Sequence, residues 1–276
     1  MADHAMDAPE EFYKQAGTSR LHSHDRFNPY TVKDNDIIFV KTDFIVDGTF
    51  ERMFLDKIYK TFNLITGVSS YHIGRDGGDR YKNILSYPNL NKWICTNPPS
   101  AENKKIIPIP IGFEEPDRPA GNQEFLHRMH KDRSRFEDKK DMILLPYHTV
   151  DTNPNRNALV ERLGSLPFVH VQKEKQSFED YFNLLNQYKF VIGLEGSGPD
   201  IHRNYEAILV GSIPINKKNV IERVFSLHSA SAVFLESWLD LTQDKFEKML
   251  NVKYNFTGND RFLKLENHIS LIKGLI

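Results

Sequence analysis

His202, Arg203 and Glu206 fall together in "HRNYE", just after glycines at 193, 196 and 198 in the stretch "GLEGSGPDIHRNYEAILVGSIPI". Glycines let the backbone approach a ligand closely, and the free N–H groups at a helix start attract an anion. A His and an Arg in the first turn add donors that suit phosphate. A carboxylate about a turn deeper can accept two hydroxyl hydrogen bonds, as from a ribose. The combination points to a nucleotide diphosphate. A plainer reading competes with it, in which Arg203 and Glu206 form an i,i+3 surface pair and the glycines only make a turn.

Such a helix needs a frame. Asp200, after Pro199, has the short acceptor side chain of an N-cap, so the helix is expected to begin at Ile201. Ile201, Tyr205, Ile208 and Leu209 then form its apolar face. "KFVIGL" before it and "SIPIN" after it read as strands, which makes a βαβ unit with the helix N-terminus at the sheet edge, where open α/β sheets bind ligands. Neither a dinucleotide GxGxxG nor a phosphate-loop lysine is present, so dehydrogenase and ATPase readings fall.

The same alternation runs along the chain. Apolar runs bounded by turn residues recur at 36–42, 61–70, 92–98, 105–112, 142–149, 167–172, 189–196 and 211–217. Continuous runs of this kind read as strands covered on both faces, and helix-like stretches such as "TFERMFLDKIYKTF", "NRNALVERLGS" and "SFEDYFNLLNQY" separate several of them. The expectation is an α/β protein with parallel sheets. The polar stretch 113–140 is the best candidate for a domain boundary. Two domains are therefore expected, 1–130 and 131–260, with a terminal helix over 261–276 packing back on the first.

Composition narrows the function classes. The 276 residues carry 36 Lys and Arg against 37 Asp and Glu, a net charge of −1, which offers no general attraction to nucleic acid or anionic membrane. Cys95 is the only cysteine, so an intramolecular disulfide and a multi-thiolate metal site are excluded and a reducing compartment fits. The N-terminus is acidic and polar, unlike a signal peptide, and "MADHAM" is compatible with a tag remnant. No run approaches a membrane span. A soluble cytoplasmic protein is expected. "NFT" at Asn255–Thr257 matches a glycosylation acceptor but reads as incidental without a secretory signal.

The stretch "KFVIGLEGSGPDIHRNYEAILVGSIPI" resembles the donor-site signature of exostosin-like glycosyltransferases, family 47 and its relatives: a strand, a Gly/Ser-rich turn, an Arg, then "EA", a small residue and "IPI". "FNLITGVSSYHIG", "NLNKWICTNP", "IIPIPIGFE" and "HTVDTNPNRNALVERL" follow in the order of the same group. In size and in showing no anchor the chain is also similar to the small glycosyltransferases of large algal viruses, one of which is a xylosyltransferase; on that reading the compartment is the host cytoplasm.

The resemblance implies a GT-B fold, two Rossmann-like domains with parallel sheets facing across a cleft, the nucleotide sugar on the C-terminal one. It implies an inverting glycosyltransferase that moves a sugar, xylose first, from a UDP-sugar to a glycan hydroxyl. Arg203 would contact the diphosphate, His202 would add a phosphate contact, and Glu206 would hold the ribose. The turn Glu195, Gly196, Ser197 and Gly198 would line the donor. Asn153 and Arg156 would meet its phosphates, and His170 would lie near its nucleobase. Capping turns and a half-buried strand histidine are the plainer readings of these last three.

An acceptor hydroxyl needs a base. "SSYHIGRDGGDRY", after the strand "FNLITGV", offers Asp79 first, then Asp76, then His72, on a glycine-containing loop of the kind that carries catalytic groups. The plainer reading pairs both Asp with Arg75 and Arg80 on the surface. Relatives often carry an acidic residue after the serine, where this chain has Tyr71; Tyr71, Tyr81 and Trp93 are candidate stacking platforms for acceptor sugars, with core or surface packing the plainer reading. Asp34–Asn35–Asp36 is a DxD triplet, but it precedes its strand and reads as a turn. No metal spacing is convincing, so neither metal nor other cofactor is expected. Two other readings stay open: a nucleotide-sugar or glycan-binding protein without turnover, and a nucleotide-sugar hydrolase or epimerase.

Overall fold

A computed structural model describes residues 2–6, 27–100, 103–116, 118–148, 153 and 155–276. Met1 and residues 7–26, on which the leader and tag readings largely rest, lie outside the described residues. So do 149–152 and 154 in the turn of "HTVDTNPNRNALVERL".

The protein is α/β, with two parallel five-stranded sheets, as the alternation of apolar runs and helices requires. The first holds β1 (His4–Met6), β2 (Asp36–Lys41), β3 (Phe62–Gly67), β4 (Leu90–Cys95) and β5 (Ile106–Pro108), each beside the one before it. The second holds β6 (Lys140–Leu145), β7 (Val169–Val171), β8 (Tyr188–Ile192), β9 (Ile213–Lys217) and β10 (Val233–Leu235), in the order β10-β9-β8-β6-β7. Eight strands match the apolar runs. β1 and β10, three residues each, carry no such run.

The chain divides into two compact units, Met1–Pro110 with Ile269–Ile276, and Ile111–His268. The first is centred on Ile38, Phe50, Phe62, Leu64 and Trp93. Within it Ile272, from the C-terminal helix Leu265–Leu275, packs with Ile94 and Ile107. The polar stretch 113–140 lies inside the second unit. Its helix Gln123–Lys131 is polar because only one stripe is covered, and Leu126 and Met129 on that stripe join Leu144, Phe182 and Val191 in the core.

In the first unit, Asn35 of the DxD triplet has φ 68°, Asp34 pairs with Lys60 at 3.2 Å and Asp36 with His4 at 2.8 Å, the arrangement of a turn. Among the described residues no group of three or more His, Cys, Asp or Glu could hold a metal ion, and no helix is long and apolar enough to cross a membrane.

Candidate functional site

From β6 the chain crosses to β7 on one side, then returns to β8 on the other. The connections leaving the carboxyl ends of β6 and β8 therefore part company, and the crevice between them is where open α/β sheets bind ligands. Beyond β6 come Pro146, Tyr147 and His148, and later Arg156, which starts the helix Arg156–Gly164. Beyond β8 comes the glycine turn and the helix His202–Leu209. The helix of the return path, Phe178–Leu185, carries Tyr181.

The site helix starts one residue later than expected. Ile201 is its N-cap, and no side chain caps it. The carboxylate of Asp200 does other work: Oδ2 accepts from the Ile111 N–H at 2.9 Å and from the Tyr205 hydroxyl at 2.5 Å, and Oδ1 from the Ile201 N–H at 2.9 Å. Buried in this way, it fixes the chain at Ile111 to the start of the helix, and burial raises its pKa. Tyr205, Ile208 and Leu209 are buried as the apolar face. Glu206 is buried too, only 7% exposed, which a surface position would not give.

Arg203 and Glu206 are not an ion pair. Arg203 Nε donates to the Tyr181 hydroxyl at 3.1 Å, and that hydroxyl donates to Glu206 Oε2 at 2.7 Å. Tyr181 thus stands between cation and carboxylate. Arg203 Nη2 donates to the Tyr147 carbonyl at 3.1 Å, and Nη1 to His148 Nε2. A guanidinium can only donate, so His148 Nε2 accepts and Nδ1 carries the proton that goes to the Pro146 carbonyl. Burial, then the charges of Arg203 and Arg156, push the His148 pKa down to about 2, so the ring is neutral. Burial raises the pKa of Glu206, which Arg203 and the Tyr181 bond oppose.

His202 donates from Nδ1 to the Gly112 carbonyl at 2.7 Å, and its Nε2 stands 3.6 Å from Glu114 Oε1. Arg156, buried at 7% exposure, donates from Nε to the Glu195 carbonyl at 3.0 Å and from Nη2 to the Leu194 carbonyl at 3.1 Å. Asn153 Nδ2 reaches the same Glu195 carbonyl at 3.3 Å. A Cβ on Gly196 would stand 3.2 Å from Arg156 Nη2, so glycine there gives the guanidinium room. Burial, then the Arg203 charge, lowers the Arg156 pKa.

A cavity of about 580 Å³ collects Arg156, His202, Arg203 and Glu206 from the expected set. It adds Tyr147, His148, Gln172, Lys175, Phe178 and Tyr181, none of which the sequence singles out. A second cavity of about 460 Å³ takes Asn153 and Glu195, with Arg156 lining both. Gly196, Ser197 and Gly198 line neither; the Gly196 N–H closes a turn onto the Gly198 carbonyl at 3.1 Å. His170 is also outside both. It sits in the middle of β7 rather than at its end, exposed and stacked on Tyr188 at 5.4 Å, and Gln172 two residues on reaches the cavity instead.

In the first unit the loop after β3 holds the other candidates. His72 caps the short helix Ile73–Asp76 by accepting from the Arg75 N–H at Nδ1, 2.9 Å. Asp76 pairs with Arg75 at 2.8 Å and accepts from the His72 N–H at 2.7 Å. Burial alone would raise its pKa, but the Arg75 and His72 bonds outweigh that and lower it. Asp79 pairs at 2.7 Å with Lys82, not with Arg80, whose guanidinium goes to the Val46 carbonyl. Asp76 and Asp79 share a surface depression with Arg75, Arg80 and Lys82. Tyr71 is exposed, and Tyr81 packs half-buried on the core.

No family model matches the chain, and no curated protein matches it. Among solved structures it is similar to AviGT4, a glycosyltransferase involved in avilamycin A biosynthesis, over 83% of this chain and 85% of that one, with a TM-score of 0.37 and 11% sequence identity.

Proposed function

We propose that the cavity of the second unit binds a nucleotide diphosphate sugar and that the protein is a glycosyltransferase. One observation carries this reading. Arg203 lines the cavity with no carboxylate within 4 Å of its guanidinium among the described residues, beside a second guanidinium, Arg156, and beside Glu206, whose Oε1 makes no hydrogen bond among them. Two like charges lining one cavity favour a dianion such as a diphosphate, and a carboxylate held by Tyr181 with an oxygen to spare suits a ribose diol.

The finer reading follows the resemblance in the residues. The donor is a UDP-sugar, with xylose the first to try, and the acceptor a glycan hydroxyl. A base takes the hydroxyl proton, the acceptor oxygen bonds to the anomeric carbon, and the bond from that carbon to the diphosphate breaks with inversion, UDP leaving with the electron pair. Arg203, Arg156 and His202 offset the charge on departing UDP, so no metal is required. Asp76 is committed to Arg75 and the His72 N–H, which leaves Asp79, with its exposed Lys82 partner, the first candidate base and His72 the third.

A thermal-shift screen against UDP-, GDP- and CMP-sugars, with and without EDTA, tests donor class and metal dependence together, since a ligand of the folded state raises apparent stability. A UDP-sugar shift that survives EDTA and vanishes in Arg203→Ala and Glu206→Ala supports the reading. Shifts unchanged in both variants refute the site. Free UDP released only with acceptor indicates transfer; release with free sugar indicates hydrolysis, an altered nucleotide sugar indicates epimerisation, and tight binding with no product indicates a binding module.

A further inference from the structure

We propose that Lys139 is a positioning residue for this cavity, acting from the C-terminal ends of the two helices that carry Tyr181, Arg203 and Glu206. Lys139 immediately precedes β6 and is only 5% exposed. Its Nζ donates to three acceptors: the Asn186 carbonyl at 2.6 Å, Asn186 Oδ1 at 2.8 Å and the Val210 carbonyl at 2.8 Å. Asn186 is the C-cap of the helix Phe178–Leu185, and Val210 the C-cap of the helix His202–Leu209. One ammonium therefore closes two helix C-termini, where a cation meets both orphan carbonyls and the negative ends of both dipoles.

All three N–H bonds are used, and no carboxylate lies within 4 Å of Nζ among the described residues. Burial, then the neighbouring Arg133 charge, lowers its pKa to about 7, so the three-donor ammonium is the form present below that pH, where the tests below are made. A buried ammonium with no counter-ion is a costly way to fill space, and an apolar residue would serve if filling were the only task. What the ammonium adds is a fixed relation between two helix ends. Ser212 reinforces it, its one hydroxyl proton shared between the Leu185 and Tyr188 carbonyls at 3.1 and 2.7 Å.

The consequence lies one to two turns away along each helix: Tyr181 is five residues before Asn186, and Glu206 and Arg203 are four and seven before Val210. The Tyr181 hydroxyl bridges Arg203 and Glu206 only while the two helices keep their relative height and rotation. If the C-terminal clamp is lost, the helices can slide against each other and the bridge lengthens.

Lys139→Met tests this, with Phe246→Leu as a control that lowers the melting temperature of the same unit from a different core cluster, where Phe246 stacks on Phe168. In hydrogen exchange without ligand, Lys139→Met should speed exchange at both ends together, the amides of Asn186 and Gln187 and those of Val210, Gly211 and Ser212, by about 10-fold, as expected for orphaned carbonyls. Phe246→Leu should leave those amides protected. Wild-type protection in Lys139→Met, or loss at one end only, overturns the inference. The second arm rests on the nucleotide reading: UDP affinity should fall about 10-fold in Lys139→Met, within 2-fold of wild type in Phe246→Leu, and recover in part in Lys139→Arg, which keeps charge and donors. Wild-type affinity in Lys139→Met also overturns it. If wild type takes no UDP, the nucleotide reading fails and the exchange arm alone decides. If Lys139→Met does not fold, Lys139→Arg and Lys139→Gln are compared instead, and equal exchange at both ends in the two counts against the ammonium.

Discussion

The candidate residues of the two units are held in opposite ways. In the second unit Arg203, Glu206, His148 and Tyr181 bond one another across three elements, and Glu206 is buried. In the first, Asp76 and Asp79 each take a cation one or three residues away in sequence, Asp79 exposed and Asp76 half-buried. A buried network is set by the fold and loses definition when any member goes. A local exposed pair is set by its own turn and contributes little to the fold. Binding should thus be sensitive to distant packing, and the loop after β3 tolerant of change in everything except turnover.

The predictions sharpen that contrast, beginning with the largest. Asp79→Ala should abolish transfer, assayed as UDP release with acceptor, while leaving UDP affinity and melting temperature at wild-type values; retained transfer moves the role to Asp76 or His72. Arg203→Ala should weaken UDP binding by about 100-fold, the scale of losing charge-assisted bonds to phosphate, read by calorimetric titration. Tyr181→Phe removes only the bridging hydroxyl and should cost about 5- to 10-fold in the same titration. If Tyr181→Phe binds like wild type, the helix pair does not depend on the bridge.

The fourth prediction concerns pH. His148 stays neutral in the fold down to about 2 but gains a proton in the unfolded chain below 6.5. The unfolded state then binds more protons, so this group's contribution to stability is present above 6.5 and is lost as pH falls towards 2. In denaturant titrations between pH 7 and 4, His148→Gln should show a shallower fall in stability than wild type. Equal slopes would mean that His148 is protonated in the folded protein.

Much of the fold was legible because continuous apolar runs have only one economical arrangement, strands covered on both faces. β1 and β10 escaped because three residues, "HAM" and "VFL", are too short to carry a period. The stretch 113–140 reads as a domain boundary because its helix shows mostly charge, and its two core residues are visible only once a partner surface is known.

At the site, Arg156, His202, Arg203 and Glu206 could be read because a helix start fixes their spacing. Tyr181 could not: its neighbours Phe178 and Phe182 make it look like one more core aromatic, and its partners come from another helix. His148 carries a signal in "LLPYH", a histidine near the carboxyl end of the apolar run 142–149 and three residues past the strand it forms. Gln172 and Lys139 carry no local signal. They reach their partners through the reversal of strand order at β6, which no periodicity encodes.

The central claim is that a nucleotide diphosphate sits on Arg203 and Glu206. Calorimetric titration of UDP into wild type, Arg203→Ala and Glu206→Gln at fixed salt tests it most directly. The account predicts saturable one-site binding to wild type, about 100-fold weakening in Arg203→Ala, and a smaller loss in Glu206→Gln that disappears when the ribose hydroxyls are replaced by hydrogen in a dideoxy analogue. Equal binding by all three proteins would contradict it.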